Sequence, residues 1–199
     1  IDGKEGGTGA GPLEFVNSVG LPLREALVYV HNTLRGAGLR DEITLMASSK
    51  VITGFDIFRT IALGADICCA ARAMMLAVGC IQARRCNTNN CPTGVASQRP
   101  SLYNGIDVDD KAGRVARYHR ETIKSFLQLL GATGASSADQ IEPYHVMQRV
   151  DETKVASYAE LYPWLEDGAL LDGTAPEEYQ RAWVSATSKS FAPARAVTA

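Results

Sequence analysis

The 199-residue sequence contains no run of eighteen apolar residues, so no segment reads as a membrane-spanning helix. It carries no excess of either charge: the formal net charge is −2, which leaves no electrostatic footprint for a nucleic acid or another polyanion. There is no internal repeat and no low-complexity tract. A G-x-G-x-x-G fingerprint in the register that follows a strand is missing, so nothing announces a dinucleotide fold. Histidine is scarce, with His31, His119 and His145 isolated from one another, and each reads as a packing residue rather than a ligand. No signal peptide is recognisable, and clustered cysteines fit a reducing compartment that keeps thiolates free for metal, so the expected location is cytoplasmic.

What is present is an ordinary globular composition, 46% hydrophobic and 21% charged, with enough apolar side chains for a core. The distinctive feature is cysteine. Three of the five fall at Cys80, Cys86 and Cys91, spaced C-x5-C-x4-C, and Pro92 follows the last. Neither a helix nor a strand places residues six and five apart on one side, so thiolates at this spacing converge only in a loop. The Asn87, Asn89, Asn90, Pro92 and Gly94 positions supply one. Zinc favours four ligands in closely spaced pairs, whereas wider spacing ending in Cys-Pro matches iron–sulfur ligation, and three cysteines suit a three-iron cluster. A disulfide with one thiol left over, or unpaired structural thiols, are the other readings of the same spacing. Cys68 and Cys69 lie in an apolar run and read as strand residues of the core.

Around this loop the pattern is α/β. Gly3, Gly6, Gly7, Gly9 and Gly11, with Thr8 among them, form a glycine-rich opening that can present backbone amides to a flavin or a carboxylate, or be a plain flexible terminus. Apolar residues at helical spacing from Leu23 to Leu34, with Pro22 ahead and Gly36 or Gly38 behind, predict a helix. Residues 43–47 read as a short buried strand, 48–54 as a loop, 56–63 as a helix closed by Gly64, 65–70 as a second strand and 71–78 as a short helix. Beyond the cysteines, 99–105 reads as a surface loop and 109–130 as a long helix with an apolar stripe of Ala112, Val115, Ala116, Ile123, Phe126, Leu127 and Leu130. Residues 136–140 and 144–150 read as short helices and 157–161 as a turn, with Trp164 packing on the barrel-like part or a partner. From Gly173 small and polar residues dominate, and the last ten are expected to be mobile.

The stretch 79–98, taken with Asp2-Gly3-Lys4-Glu5-Gly6-Gly7-Thr8-Gly9-Ala10, resembles the C-terminal part of the FMN-binding synthase domain of the glutamate synthase family, most of all its stand-alone members. The resemblance covers roughly residues 1–165. It implies the C-terminal portion of a (β/α)8 TIM barrel with an iron–sulfur loop and an α-helical extension: residues 1–79 as the last part of the barrel, 80–98 as the cluster loop, 99–172 as helices packed on it and 173–199 as a tail. A whole barrel takes about 250 residues, and the chain starts at Ile1 at the end of the sixth strand, so a fragment or processed chain is expected, with another chain supplying the first strands. Without them the inner faces near Leu45 and Ile67 are open, and the isolated chain should not be a well-behaved monomer.

The same resemblance implies a [3Fe-4S] cluster on Cys80, Cys86 and Cys91, beside FMN. Gly7 and Thr8 line the substrate side of the flavin, and the loops after the last two barrel strands, with Ser49, Lys50, Ala71 and Arg72, hold its phosphate. The family usually reads Asp-Gly-Gly and Gly-Thr at these two loops; here Lys50 and Arg72 substitute side-chain charge for close backbone approach. The implied reaction is reduction of 2-iminoglutarate, formed from 2-oxoglutarate and ammonia, to L-glutamate. Glutaminase and electron-donor subunits are the implied partners, since no glutaminase motif is visible. The alternatives are an enzyme making an N-substituted glutamate from another amine, and a non-catalytic electron-transfer or assembly subunit.

Overall fold

The computed structural model describes residues 1–5 and 11–190. After a short α1 (Leu13–Ser18), Pro22 stands at the N-cap of α2 (Leu23–Gly36), where its missing N–H and fixed φ fit a helix start. Leu23, Leu27 and Val28 recur on one face of α2 and are buried. The strand β1 (Met46–Ser48) leads through a loop to α3 (Gly54–Ala62), which begins with a reciprocal cap: Thr53 Oγ1 accepts from Asp56 N–H (3.1 Å) and Asp56 accepts from Thr53 N–H (2.9 Å). The strand β2 (Ile67–Cys69) and α4 (Ala71–Val78) complete a second β–α step.

The two strands pair in parallel, with Met46 opposite Ile67, Ala47 opposite Cys68 and Ser48 opposite Cys69. The N-terminal residues add a third parallel line on the other edge of β1. Asp2 bridges Ser48, Ser48 N–H donates to Ile1 O (2.8 Å) and Gly3 N–H donates to Ser48 O (2.9 Å). The described residues are thus a small mixed α/β unit with no closed barrel. One face of the strands is covered: Ala47 is fully buried, and Cys68 Sγ lies 3.9 Å from the Ile57 carbonyl of α3. The other face is open, with Met46 50% and Ile67 44% exposed.

Past the cysteine loop, α5 (Pro100–Tyr103) precedes α6 (Val108–Ala132), whose first turn is capped by Asp107 accepting from Asp110 N–H at 3.0 Å. Phe126 and Leu130 of α6 join Leu27, Leu45, Phe58, Leu63, Val146 and Tyr158 in the main core. Two strands, β3 (Met147–Arg149) and β4 (Val155–Ser157), form an antiparallel hairpin, followed by α7 (Tyr158–Leu161) and α8 (Glu177–Ser185). Asn32 of α2 is fully buried and fastens the C-terminal segment: its amide donates to Pro163 O (2.8 Å) and Tyr179 Oη (3.1 Å), and its carbonyl accepts from Leu165 N–H (3.1 Å).

Several sequence expectations change. Residues 144–150 are a 3-10 turn and β3, not a helix, because the Asp151 carboxylate accepts from Thr153 N–H and Lys154 N–H (both 2.8 Å) and closes a hairpin. Ile43 is exposed and outside β1, while Leu45, expected on an open face, is buried. The surface loop 99–105 contains α5, the turn 157–161 is α7 with a Ser157/Glu160 cap, and the tail carries α8, anchored by Tyr179. Of the stripe predicted on α6 only Phe126 and Leu130 are buried, Val115 and Ile123 are partly covered, Leu127 is 55% exposed, and His119 is exposed rather than packed. Residues 191–199 and the flavin candidates Gly7 and Thr8 lie outside the described residues. Among the described residues no helix is long and apolar enough to cross a membrane.

Candidate functional site

The loops that leave the carboxyl ends of β1 and β2 are the natural place for a site on parallel strands. The first is tied down at both ends. Ser49 is buried and its hydroxyl donates to Glu5 Oε2 (3.3 Å); Ile52 O accepts from the Tyr118 hydroxyl of α6, and Ile52 N–H donates to Asp56 Oδ2 (3.1 Å). Between these anchors Lys50 is exposed and takes φ +46°. The second loop passes directly into α4 at Ala71, with Ala70 at the N-cap offering no side-chain cap. Arg72 follows in the first turn.

Gly79, at φ +122°, ends α4 and releases the chain into the cysteine loop. The loop is folded by its own polar groups. Asn89, at φ +59°, accepts from Gln98 N–H (2.6 Å) and from the Ser97 hydroxyl (3.2 Å), drawing the arm after Cys86 back onto the return segment. At Gly94 a Cβ would stand 2.4 Å from Leu102 O, so α5 lies against the loop backbone and only glycine fits. All four non-glycine residues with positive φ among those described, Lys50, Gln82, Arg84 and Asn89, belong to this loop or to the loop after β1. Backbone strain of this kind gathers where the surrounding structure holds a loop for a purpose.

Lys50, Arg72, Cys80 and Cys86 meet around one cavity of about 170 Å³, together with Gln82 and Arg84. Among the described residues three cationic groups and no carboxylate line it, in a chain whose net charge is −2. Such a lining suits an anionic group, and the volume, well under the roughly 300–1,000 Å³ of complete ligand pockets, suits one end of a ligand. Ser49 and Ala71 are not in that lining, although Ser49 shares with Lys50 and Glu5 a neighbouring cavity of about 290 Å³. A larger cleft, about 570 Å³, lies at the amino ends of the strands beside Arg40 and Asp66, where site chemistry on parallel strands is not expected.

All five cysteines are free thiols. Burial pushes the Cys68 thiol up to about 12, with neighbouring Cys69 adding to the effect, so this half-buried strand residue holds its proton. Burial also works against ionisation of Cys91, but the Thr93 hydroxyl (3.4 Å from Sγ) and backbone hydrogen bonds from Ala96, Thr93 and Val95 outweigh it and hold this thiol below its ordinary value. Cys80 Sγ accepts from Gln82 N–H at 3.4 Å. The donor chemistry therefore fits thiolate ligation. The positions do not close around an ion: Cys91 is buried outside the cavity that Cys80 and Cys86 line, and among the described residues no three His, Cys, Asp or Glu side chains gather to hold a metal.

One participant escaped the sequence. Arg84 sits among the cysteines but reads as a solvated charge until its positive φ and its place in the cavity are known. Glu5, which the sequence leaves open as a carboxylate close to the glycine loop or a solvated charge, in the fold accepts from Leu23 N–H (3.1 and 3.3 Å to its two oxygens) as well as from Ser49.

Residues 1–136 match a family model described as a conserved region in glutamate synthase. The glutamate synthase large subunit-like protein YerD of Bacillus subtilis is 40% identical over 155 residues, 78% of this chain and 30% of the relative. The archaeal glutamate synthase [NADPH] of Methanocaldococcus jannaschii is 41% identical over 141 residues, 71% of this chain and 28% of the relative. Ferredoxin-dependent glutamate synthase 1 of Arabidopsis thaliana is 35% identical over 144 residues, 71% of this chain and 9% of the relative. The chain spans less than a third of the length of these curated relatives.

Proposed function

The chain belongs to the glutamate synthase family, and from that premise we propose that it forms the C-terminal part of an FMN-binding (β/α)8 synthase barrel that reduces 2-iminoglutarate to L-glutamate. The observation that carries this reading is the meeting of Lys50, Arg72, Cys80 and Cys86 around one cationic cavity at the carboxyl ends of parallel strands. The open face bearing Met46 and Ile67 supports the barrel, since residues alternating with the helix-covered Ala47 and Cys68 are those that point into a barrel interior.

In this reading Lys50 and Arg72 bind the FMN phosphate by charge, and Gly7, Thr8, Ser49 and Ala71 belong to the loops that enclose the cofactor. Cys80, Cys86 and Cys91 would be the ligands of a [3Fe-4S] cluster, which requires Cys91 to join the cavity that Cys80 and Cys86 line. When bound, FMN supplies hydride and the cluster supplies an electron relay. The chain itself contributes position: the anchored 49–52 loop and the Asn89 clasp fix two walls of the site. 2-Oxoglutarate and ammonia or another amine are the substrates, with a glutaminase and an electron-donor subunit as partners and further barrel strands from outside the described residues. Free thiols throughout fit a cytoplasmic location.

The test is metal and flavin analysis of protein expressed from its complete reading frame and purified without oxygen. FMN, iron and acid-labile sulfide are expected together. Cys80→Ser, Cys86→Ser and Cys91→Ser each lose iron, while Cys68→Ser and Cys69→Ser keep it. Zinc in place of iron, or equal iron loss in Cys69→Ser, sinks the cluster assignment; a protein with iron and no FMN supports an electron-transfer subunit instead.

A further inference from the structure

Glu5 does something that neither the glycines beside it nor the phosphate loop can do alone. Its carboxylate accepts from Leu23 N–H at the start of α2 (3.1 Å to Oε2) and from the Ser49 hydroxyl (3.3 Å to the same oxygen). It folds back over Gly3, where a Cβ would stand 2.5 Å from Oε2, so the turn at residues 3–5 is shaped around this carboxylate. Ser49 is buried and immediately precedes Lys50, and the far end of that loop is held by the Tyr118 hydroxyl on Ile52 O. One carboxylate thus joins the described end of the glycine-rich opening, the first turn of a helix and the loop carrying a cation of the candidate site.

We propose that Glu5 is a positioning residue for flavin binding: it locks the turn at residues 3–5 to the Ser49–Lys50 loop so that Lys50 is presented to the cavity it shares with Arg72. This rests on the flavin reading given above. A cation contributes to a phosphate site only where the loop that carries it is held in place, and among the described residues no other side chain joins residues 1–5 to the Ser49–Lys50 loop. The bridge needs a hydrogen-bond acceptor at this point rather than a negative charge, since both of its donors are neutral.

The experiment titrates FMN into deflavinated protein from the complete reading frame, following quenching of flavin fluorescence, with unfolding midpoints measured in parallel. Glu5→Ala should weaken FMN binding about tenfold, whereas Glu5→Gln, which keeps an acceptor oxygen, should stay within about threefold of the parent. Ser49→Ala removes only one leg of the bridge and leaves the cap on α2 intact. It should weaken binding with little change in midpoint, and the Glu5→Ala/Ser49→Ala double variant should lose no more than the larger single loss. Additive losses, or unchanged affinity in Glu5→Ala, overturn the proposal while leaving the flavin reading standing. A parent protein that takes up no FMN overturns both. Should Glu5→Ala not fold, Ser49→Ala and Glu5→Gln decide: unchanged affinity in the first, or a tenfold loss in the second, counts against the bridge.

Discussion

His31 shows how a single residue can be set by its surroundings rather than by its type. It lies edge-on to Trp164 with ring centroids 5.7 Å apart, and its Nδ1 accepts from Arg40 Nε at 3.1 Å. Burial first, then the charges of Arg40 and Arg35, lower its pKa from 6.5 to about 4, while the Gly64 carbonyl and Asp66 pull the other way. The folded protein therefore holds fewer protons than the unfolded chain between these values. The stability His31 contributes is fully present above pH 6.5 and is lost as pH falls through about 4. Urea midpoints should fall over that window in the parent and fall less steeply in His31→Gln, whose side-chain carbonyl can still accept from Arg40. Asp66, also held low by Arg40 and the Leu45 amide against the cost of burial, loses its contribution below 3.8, beneath the histidine window, and does so in both proteins. Parallel profiles would show that His31 stays neutral for no energetic reason. At this scale the sequence reveals which residue types are present but not their states. Cys68 and Cys69 read correctly as strand residues, yet nothing in the spacing of Cys80, Cys86 and Cys91 says that the third is held apart from the first two.

At the scale of elements, two helical glycines make opposite predictions. Gly54 opens α3, where a Cβ would stand 2.5 Å from the Phe126 backbone nitrogen, so the close crossing of α3 and α6 depends on its bare Cα. Gly131, in the last turn of α6, has nothing within 4 Å of the same position. Helix propensity alone says that alanine stabilises both by about 0.5–1 kcal/mol. The packing reverses the sign at Gly54: Gly54→Ala should destabilise by about 1–3 kcal/mol through overpacking, while Gly131→Ala should stabilise. Denaturant unfolding of the two variants checks both, and a stabilising Gly54→Ala would mean that the helices can part without cost. Elements with strong local signals were legible. Pro22 and the 23–34 periodicity mark α2, and the run of 71–78 matches α4. The β3–β4 hairpin was not, because its strands are three residues long and its turn is made by one Asp151 carboxylate rather than by glycine. Nor was α8, whose few apolar residues gain their meaning from Tyr179 reaching Asn32 across the chain.

At the scale of the whole molecule, the sheet is finished on one side only. Ala47 and Cys68 face helices, whereas Met46 and Ile67, register partners on the opposite face, are half exposed, and β2 presents an edge paired with nothing else described. An open edge beside apolar side chains is a template for another chain. The 199-residue chain on its own should therefore associate with itself, its sedimentation coefficient rising with concentration. Met46→Thr with Ile67→Thr replaces the apolar surface by β-branched polar side chains that suit a strand, so the register survives while the driving force for contact falls. Because both positions are already half in water, the unfolding midpoint should move little, by about 0.5 kcal/mol per site. Sedimentation velocity across a concentration series separates the outcomes: a weaker concentration dependence in the double variant ties association to this face. A parent that stays a monodisperse monomer throughout would mean that the open face and edge are tolerated in water, and would remove the physical reason for expecting further strands to cover them.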